Sequence, residues 1–85
     1  MKYVIVYKRS ASDELLQLPA TMARKVIAGI NNLAENPRPH NCIKLKGTTN
    51  EYRIRFGNYR LIYSVSDAVL TVFVIKIAHR KNVYR

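Results

Sequence analysis

Residues 51–65 show the clearest alternation of apolar and polar positions in the chain. In residues 51–56 every second side chain is apolar, which is the period-two pattern of a half-buried strand. The same alternation resumes in residues 59–65. Between them lies Gly57-Asn58, a two-residue connector of the kind that tolerates positive φ. The pattern therefore predicts a β-hairpin that turns at residues 57–58.

A turn at this connector fixes which side chains of the hairpin oppose each other. Arg55 then lies opposite Arg60. Arg53 lies opposite Ile62 and is diagonal to Arg60. Like charges at directly opposed positions destabilise a sheet. We therefore expect this surface to have a polyanion to bind.

Three other segments have the composition of strands. Residues 3–7 are apolar on both faces, which is typical of a strand in the middle of a sheet or covered on both sides. Residues 69–77 form the longest apolar run and predict a central strand with both faces largely buried. Residues 43–47 predict a short extended segment that presents Lys44 and Lys46 on one face.

The segment between the first two strands predicts two helices. Ser10 and Asp13 have the spacing of a capping box, so the first helix is expected to start there and to run to Pro19. The second helix is expected over residues 20–35, with Gly29 allowing the helices to pack closely. Its apolar stripe consists of Met22, Val26, Ile30 and Leu33.

This order of elements predicts an α+β fold in which a two-helix hairpin packs on one face of a mostly antiparallel β-sheet. Eighty-five residues are enough for a single domain, residues 1–85, with one core. The other face of the sheet is expected to be partly open and to carry the arginines.

The net charge of +10 is unevenly distributed. Residues 1–43 carry six Lys and Arg against three Asp and Glu, whereas residues 44–85 carry nine against two. An excess concentrated in the half that contains the hairpin favours nucleic acid or an acidic partner. The single cysteine, Cys42, suits a reducing compartment. No signal peptide and no membrane-length apolar run is visible, so a cytoplasmic location without membrane contact is expected.

Few catalytic chemistries fit these residues. The only histidines, His40 and His79, are far apart in sequence, and no cluster of carboxylates is visible, so neither a metal site nor a cofactor is expected. A basic site with one histidine and several tyrosines can act on RNA phosphodiesters without a metal. In that chemistry the ribose 2′-hydroxyl is the nucleophile and arginines stabilise the developing charge on phosphorus.

Three segments, residues 44–47, 52–63 and 79–84, together resemble the RelE/ParE superfamily of toxins from type II toxin–antitoxin systems. The resemblance implies a helical hairpin on a curved antiparallel sheet, and a cognate antitoxin that wraps the toxin in a hetero-oligomer. For the RelE branch it implies ribosome-dependent endoribonuclease activity, with cleavage of mRNA in the A site of the small subunit. ParE-type members share the fold but act on DNA gyrase.

The resemblance also implies the catalytic residues. The basic pair before the turn corresponds to Arg53 and Arg55, and the arginine after the turn to Arg60. Near the C-terminus, Arg80 and Tyr84 complete a set that ParE-type members generally lack, which favours the RelE branch.

Some RelE-type toxins have lysine at the pair before the turn, where this chain has arginine. Arginine stays protonated in proteins, so it is a poor general base. A neutral His79 or a group on the ribosome is then the candidate proton acceptor. His79 is alternatively a structural residue at a strand end, and Tyr84 one that closes the core. Lys44, Lys46 and Lys81 are expected to contact RNA.

Two other functions stay open at the sequence level. The first is a non-catalytic toxin that binds and poisons a protein target such as DNA gyrase. The second is a basic RNA-binding accessory protein. Intact mRNA in a translating extract distinguishes both of them from an endoribonuclease.

Overall fold

The computed structural model describes residues 2–81 and contains one five-stranded mixed sheet with two helices packed against one of its faces. The strands lie in the order β1-β5-β4-β3-β2, with β1 parallel to β5 and the other neighbours antiparallel. The predicted α+β class is therefore confirmed. The elements are β1 (Val4–Tyr7), α1 (Arg9–Leu16), α2 (Ala20–Leu33), β2 (Ile43–Lys44), β3 (Glu51–Phe56), β4 (Tyr59–Ser66) and β5 (Thr71–His79).

Strand β1 lies at the edge of the sheet, so the prediction that it is central was wrong. Within residues 2–81 its only strand neighbour is β5, and Val4 and Val6 are 60% and 41% exposed. The alternate residues Ile5 and Tyr7 pack against the core beneath the helices. An unbroken apolar run therefore marked a strand with one covered face and one open face.

Strand β5 is central, as predicted, because it lies between β1 and β4. Val72 and Val74 are fully buried under the helices. Phe73, on the other face, remains 36% exposed, so only one face of this strand is well covered. The helices therefore leave the opposite face of the sheet open.

The helix starts differ in one respect from the sequence prediction. Helix α1 begins at Arg9, and its N-cap residue Lys8 makes no side-chain capping bond, so the capping box predicted at Ser10 and Asp13 is wrong. Helix α2 follows Pro19, as predicted, and ends at Leu33. The predicted stripe contributes Val26, Ile30 and Leu33 to the core cluster, which also contains Ile54, Leu61 and Tyr63 of the sheet.

Arg38 ties the connection after α2 to the turn between β4 and β5. Its guanidinium donates two hydrogen bonds to Asp67, at 3.2 and 2.9 Å, and one from Nε to the Tyr52 hydroxyl at 2.8 Å. Tyr3 donates to the same carboxylate at 2.6 Å. These hydrogen bonds, first those from Arg38 and then the one from Tyr3, hold the pKa of Asp67 below its usual value. The network occupies the end of the sheet remote from the turn at residues 57–58.

Gly29 allows a close approach between α2 and the hairpin rather than between the two helices. A Cβ atom at this position would lie 2.4 Å from Cζ of Phe56, well inside van der Waals contact. Phe56 in turn packs against the buried core. Any larger residue here would force the aromatic ring of β3 to shift.

We expect Gly29→Ala to destabilise the protein, although alanine in a helix interior normally stabilises it by about 1 kcal/mol. The added methyl group must displace the Phe56 ring, and overpacking of this kind costs roughly 1–3 kcal/mol. Urea unfolding of Gly29→Ala, Phe56→Leu and the double variant measures the effect. In the double variant the alanine should no longer destabilise. A Gly29→Ala variant more stable than wild type would show that the ring yields freely.

Candidate nucleic-acid interface

The open face of the sheet gathers arginines from three neighbouring segments. The observed register pairs Arg55 with Arg60 and Arg53 with Ile62, which confirms the register predicted from the turn. Strand β5 extends both cross-strand pairs, because Arg60 pairs with Ala78 and Ile62 pairs with Lys76. Paired residues share a face, so these side chains lie opposite the helices. We call the surface formed by Arg53, Arg55, Arg60 and Arg80 the arginine face.

The turn at residues 57–58 holds the arginine face together at one end of the sheet. Gly57 has a φ of +59°, which permits the tight connection. The Arg55 Nε donates to the Gly57 carbonyl at 3.1 Å. The Arg80 backbone N–H donates to the Asn58 carbonyl at 2.7 Å. The end of β5 is therefore fixed directly to the hairpin turn.

Arg60 is the residue on which the positive charges converge. Its pKa is lowered, first by loss of solvation and then by repulsion from Arg55, Arg53 and Arg80. An arginine pKa is high enough that the side chain stays charged at physiological pH. The lowered value therefore reports proximity of four like charges, not neutralisation of one.

Acidic side chains in the described structure form three ion pairs. The three pairs are Lys2–Glu35 at 3.3 Å, Arg38–Asp67 at 2.9 Å and Lys76–Glu14 at 3.3 Å. None of them involves Arg55, Arg60 or Arg80. The face therefore presents strong positive potential to an anionic ligand.

A bulge in β5 determines which of its terminal residues reaches this face. Tyr63 pairs with Val74 but Ile62 pairs with Lys76, so Ile75 is an extra residue. The extra residue reverses the alternation of faces. Val74 faces the helices before the bulge, and Ile77, 2% exposed, does so after it.

His79 consequently lies on the face of the sheet opposite to the arginine face. It pairs with Tyr59, and the two rings meet edge to face with centroids 5.5 Å apart. Together with Gln17 and Leu18 they line a cleft of about 320 Å³ beside α1. The backbone N–H of Lys81 donates to Nδ1 at 3.3 Å. The structure thus brings Arg80, but not His79, to the predicted site, and a proton-accepting role for His79 stays a prediction that this placement disfavours.

The lysines expected to contact RNA are exposed but scattered. Of the predicted extended segment, only Ile43 and Lys44 form a strand. Lys44 pairs with the buried Tyr52, so it lies on the face of the sheet that the helices cover. Lys46 lies in the loop that follows β2. Lys81 is exposed after β5. Tyr84, the last predicted site residue, lies outside the described residues.

Lys76 is a neighbour of the site that the sequence pattern did not predict. Its register partner Ile62 lies between Arg53 and Lys76 on the open face. The signal available was a single charge inside the apolar run of residues 69–77. A lysine there is incompatible with a strand buried on both faces.

Residues 2–81 contain no group of three or more His, Cys, Asp or Glu side chains arranged to hold a metal ion. Neither helix in this range is long and apolar enough to cross a membrane.

Comparison with known proteins places these features in a family. The model of the family described as "ParE toxin of type II toxin-antitoxin system, parDE" matches residues 5–84. The chain is 31% identical to the mRNA interferase toxin RelE of Escherichia coli over 84 residues, covering 96% of this chain and 87% of that protein. It is 26% identical to the toxin RelG of Mycobacterium tuberculosis, covering 100% of this chain and 99% of that protein.

Solved structures with the same fold include toxins crystallised with antitoxins. The archaeal RelE–RelB complex from Pyrococcus horikoshii matches with a TM-score of 0.85 at 30% identity, covering 96% of this chain and 99% of that one. The intact E. coli RelBE complex matches with a TM-score of 0.80 at 30% identity, covering 91% and 95%. The chain therefore spans nearly the full length of these relatives.

We expect neutralising one arginine of the opposed pair to leave the protein at least as stable as before, because Arg55 and Arg60 repel each other across the sheet. Arg55→Gln and Arg60→Gln should raise the melting temperature at low ionic strength, and the gain should shrink as salt screens the repulsion. Arg24→Gln, on the exposed surface of α2, is the matched control. A clear fall in melting temperature for Arg60→Gln at low salt would contradict the repulsion.

Proposed function

This chain belongs to the RelE/ParE superfamily of type II toxin–antitoxin toxins, and from that membership we propose that it is an endoribonuclease of the RelE type. It cleaves mRNA in the ribosomal A site by metal-independent attack of a 2′-hydroxyl and so inhibits translation. The observation that carries the proposal is the convergence of Arg53, Arg55 and Arg80 on Arg60. A sheet that tolerates this repulsion has an anion as its natural ligand.

The arginine face fits the electrostatic demands of the reaction. When the 2′-oxygen attacks phosphorus, negative charge grows on the phosphoryl oxygens, and preorganised cations stabilise it. Arg60, at the centre, and Arg80, fixed to the turn, are assigned to that role. Arg53 and Arg55 bind the adjoining phosphates. The 2′-oxygen, which only RNA carries, becomes bonded to the phosphorus while the bond to the 5′-oxygen breaks.

The proton acceptor is assigned to a group outside the arginine face. Arginine cannot accept the 2′-hydroxyl proton at neutral pH. His79 lies across the sheet beside Tyr59 and is separated from the four guanidinium groups by the strand itself. A group on the ribosome is therefore the candidate, and it makes cleavage dependent on the ribosome. We assign Tyr84 to stacking on a base or to hydrogen bonding with the scissile phosphate.

The names of the relatives support two candidate functions, one from each branch of the superfamily. The E. coli relative is called an mRNA interferase, which supports RNA cleavage. The matching family model is described as a ParE toxin, which supports a second candidate, a gyrase poison without nuclease activity. The complete set of arginines favours the first, because protein binding alone does not require four converging cations.

We propose that the protein acts on ribosomes in the cytoplasm and that a cognate antitoxin inhibits it. The RelE chains of two similar structures are bound to RelB antitoxins. For this chain we assign the arginine face to an acidic antitoxin segment, which blocks RNA by occupying the same cations. The resulting hetero-oligomer is the inactive form.

Cell-free translation with primer extension on the mRNA tests the proposed function. We expect cuts in phase with codons, present only when ribosomes translate and absent after the antitoxin is added. Intact mRNA together with stabilised gyrase–DNA breaks would support the second candidate instead. Cleavage that continues in a tight toxin–antitoxin complex would refute blocking of the arginine face.

We expect some of the basic residues to act in the cleavage step and others only in RNA binding. Arg60→Ala and Arg80→Ala should lower single-turnover cleavage on toxin-saturated ribosomes by roughly a hundred- to a thousandfold, since each removes a charge-stabilising donor. Lys44→Ala and Lys46→Ala should mainly weaken binding and its salt dependence. Arg24→Ala serves as the control for lost charge. Cleavage by bound Arg60→Ala at the wild-type rate would make the arginine face a docking surface only.

A further inference from the structure

Glu14 of α1 holds the end of β5 with both of its carboxylate oxygens. Oε1 accepts a hydrogen bond from the Ile77 backbone N–H at 2.8 Å. Oε2 accepts one from the Lys76 ammonium at 3.3 Å. Both side chains are partly buried, with 29% of Glu14 and 33% of Lys76 exposed. One helical residue thus contacts β5 immediately after its bulge.

This contact replaces a missing strand. The pairing of β1 with β5 ends at Val74, whose carbonyl accepts the Lys8 N–H at 2.9 Å. Beyond this point, within the described residues, β5 has no strand on its outer edge. Backbone N–H groups shielded from water need a partner, and Glu14 provides one for Ile77.

The bulge itself follows from the position of Lys76. Regular alternation after Val72 and Val74 would turn Lys76 into the core, and a buried ammonium is strongly unfavourable. The extra residue, Ile75, lets Ile77 take the core position instead. The shift turns the Ile77 N–H to the outer edge, where Glu14 accepts it, and leaves Lys76 able to reach the same carboxylate.

We propose that Glu14 is a positioning residue for RNA cleavage. It holds β5 in the bulged arrangement, in which Arg80 lies on the arginine face. In a regular strand without the bulge, His79 would lie on that face and Arg80 would point toward the helices. Arg80 follows Ile77 by three residues, and its own N–H is fixed to the Asn58 carbonyl at 2.7 Å. The inference rests on the proposed function for its effect on rate, but its structural part does not.

Two substitutions at residue 14 separate the hydrogen bond from the charge. Glu14→Ala removes the acceptor for Ile77, whereas Glu14→Gln keeps an amide oxygen that can accept the same N–H. Glu35→Ala is the control, because it changes the net charge equally at a surface pair with Lys2 whose side chains are 64% and 77% exposed. All four proteins, including wild type, are compared at full length.

We expect Glu14→Ala to lower single-turnover cleavage on saturated ribosomes by about ten- to a hundredfold, since small displacements of a catalytic group have effects of this size. Ribosome binding should be unchanged. Glu14→Gln should retain most of the rate, and Glu35→Ala all of it. Amide hydrogen exchange at Ile77 and Arg80 should accelerate in Glu14→Ala only.

The exchange measurement needs no cleavage, so it keeps the two proposals apart. Absence of cleavage by the wild type would refute the proposed function, while exchange at Ile77 and Arg80 would still test the locking by Glu14. Wild-type exchange and wild-type cleavage in Glu14→Ala would overturn the positioning role. Equal rate losses in Glu14→Ala and Glu14→Gln that follow a common fall in melting temperature would also overturn it, because they would indicate a general loss of stability.

Discussion

The alternation of side chains along β5 is the constraint on which the candidate site depends. A regular strand would bury Lys76, so the strand takes an extra residue at Ile75 and reverses its faces. That single change decides which terminal side chain joins the open face. Arg80 lies with Arg60, and His79 lies with Tyr59. The chemistry available at the site is therefore set by a packing requirement in the core.

The distribution of charge follows from the same arrangement. Pairing Glu14 with Lys76 and Asp67 with Arg38 uses acidic residues at the edge and far end of the sheet. The arginine face retains its repulsion, which disfavours folding but favours anion binding. Stability must come from the core between α2 and the hairpin, where Gly29 and Phe56 pack so closely that a Cβ atom would displace the ring. Charge repulsion at the arginine face thus lowers the stability of the fold, whereas packing in the core raises it.

Local patterns predicted the hairpin completely, whereas long-range contacts decided the rest. The register of Arg55 with Arg60 follows from a two-residue turn, and all the information lies within a dozen residues. The end of β5 is held by Glu14, which lies 63 residues before Ile77. The edge position of β1 likewise depends on a parallel partner at residues 71–74. No sequence period reports such contacts, which is why His79 could not be placed on the correct face.

The central claim is that four arginines, Arg80 included, form one RNA-binding face from which His79 is excluded. The most direct measurement follows the arginine Nε–Hε and histidine ring resonances by NMR while a short 2′-O-methyl RNA, which cannot be cleaved, is added. We expect the resonances of Arg53, Arg55, Arg60 and Arg80 to shift with a common midpoint, while those of Arg24 and His79 do not shift. Shifts at His79 with an unchanged Arg80 would contradict it.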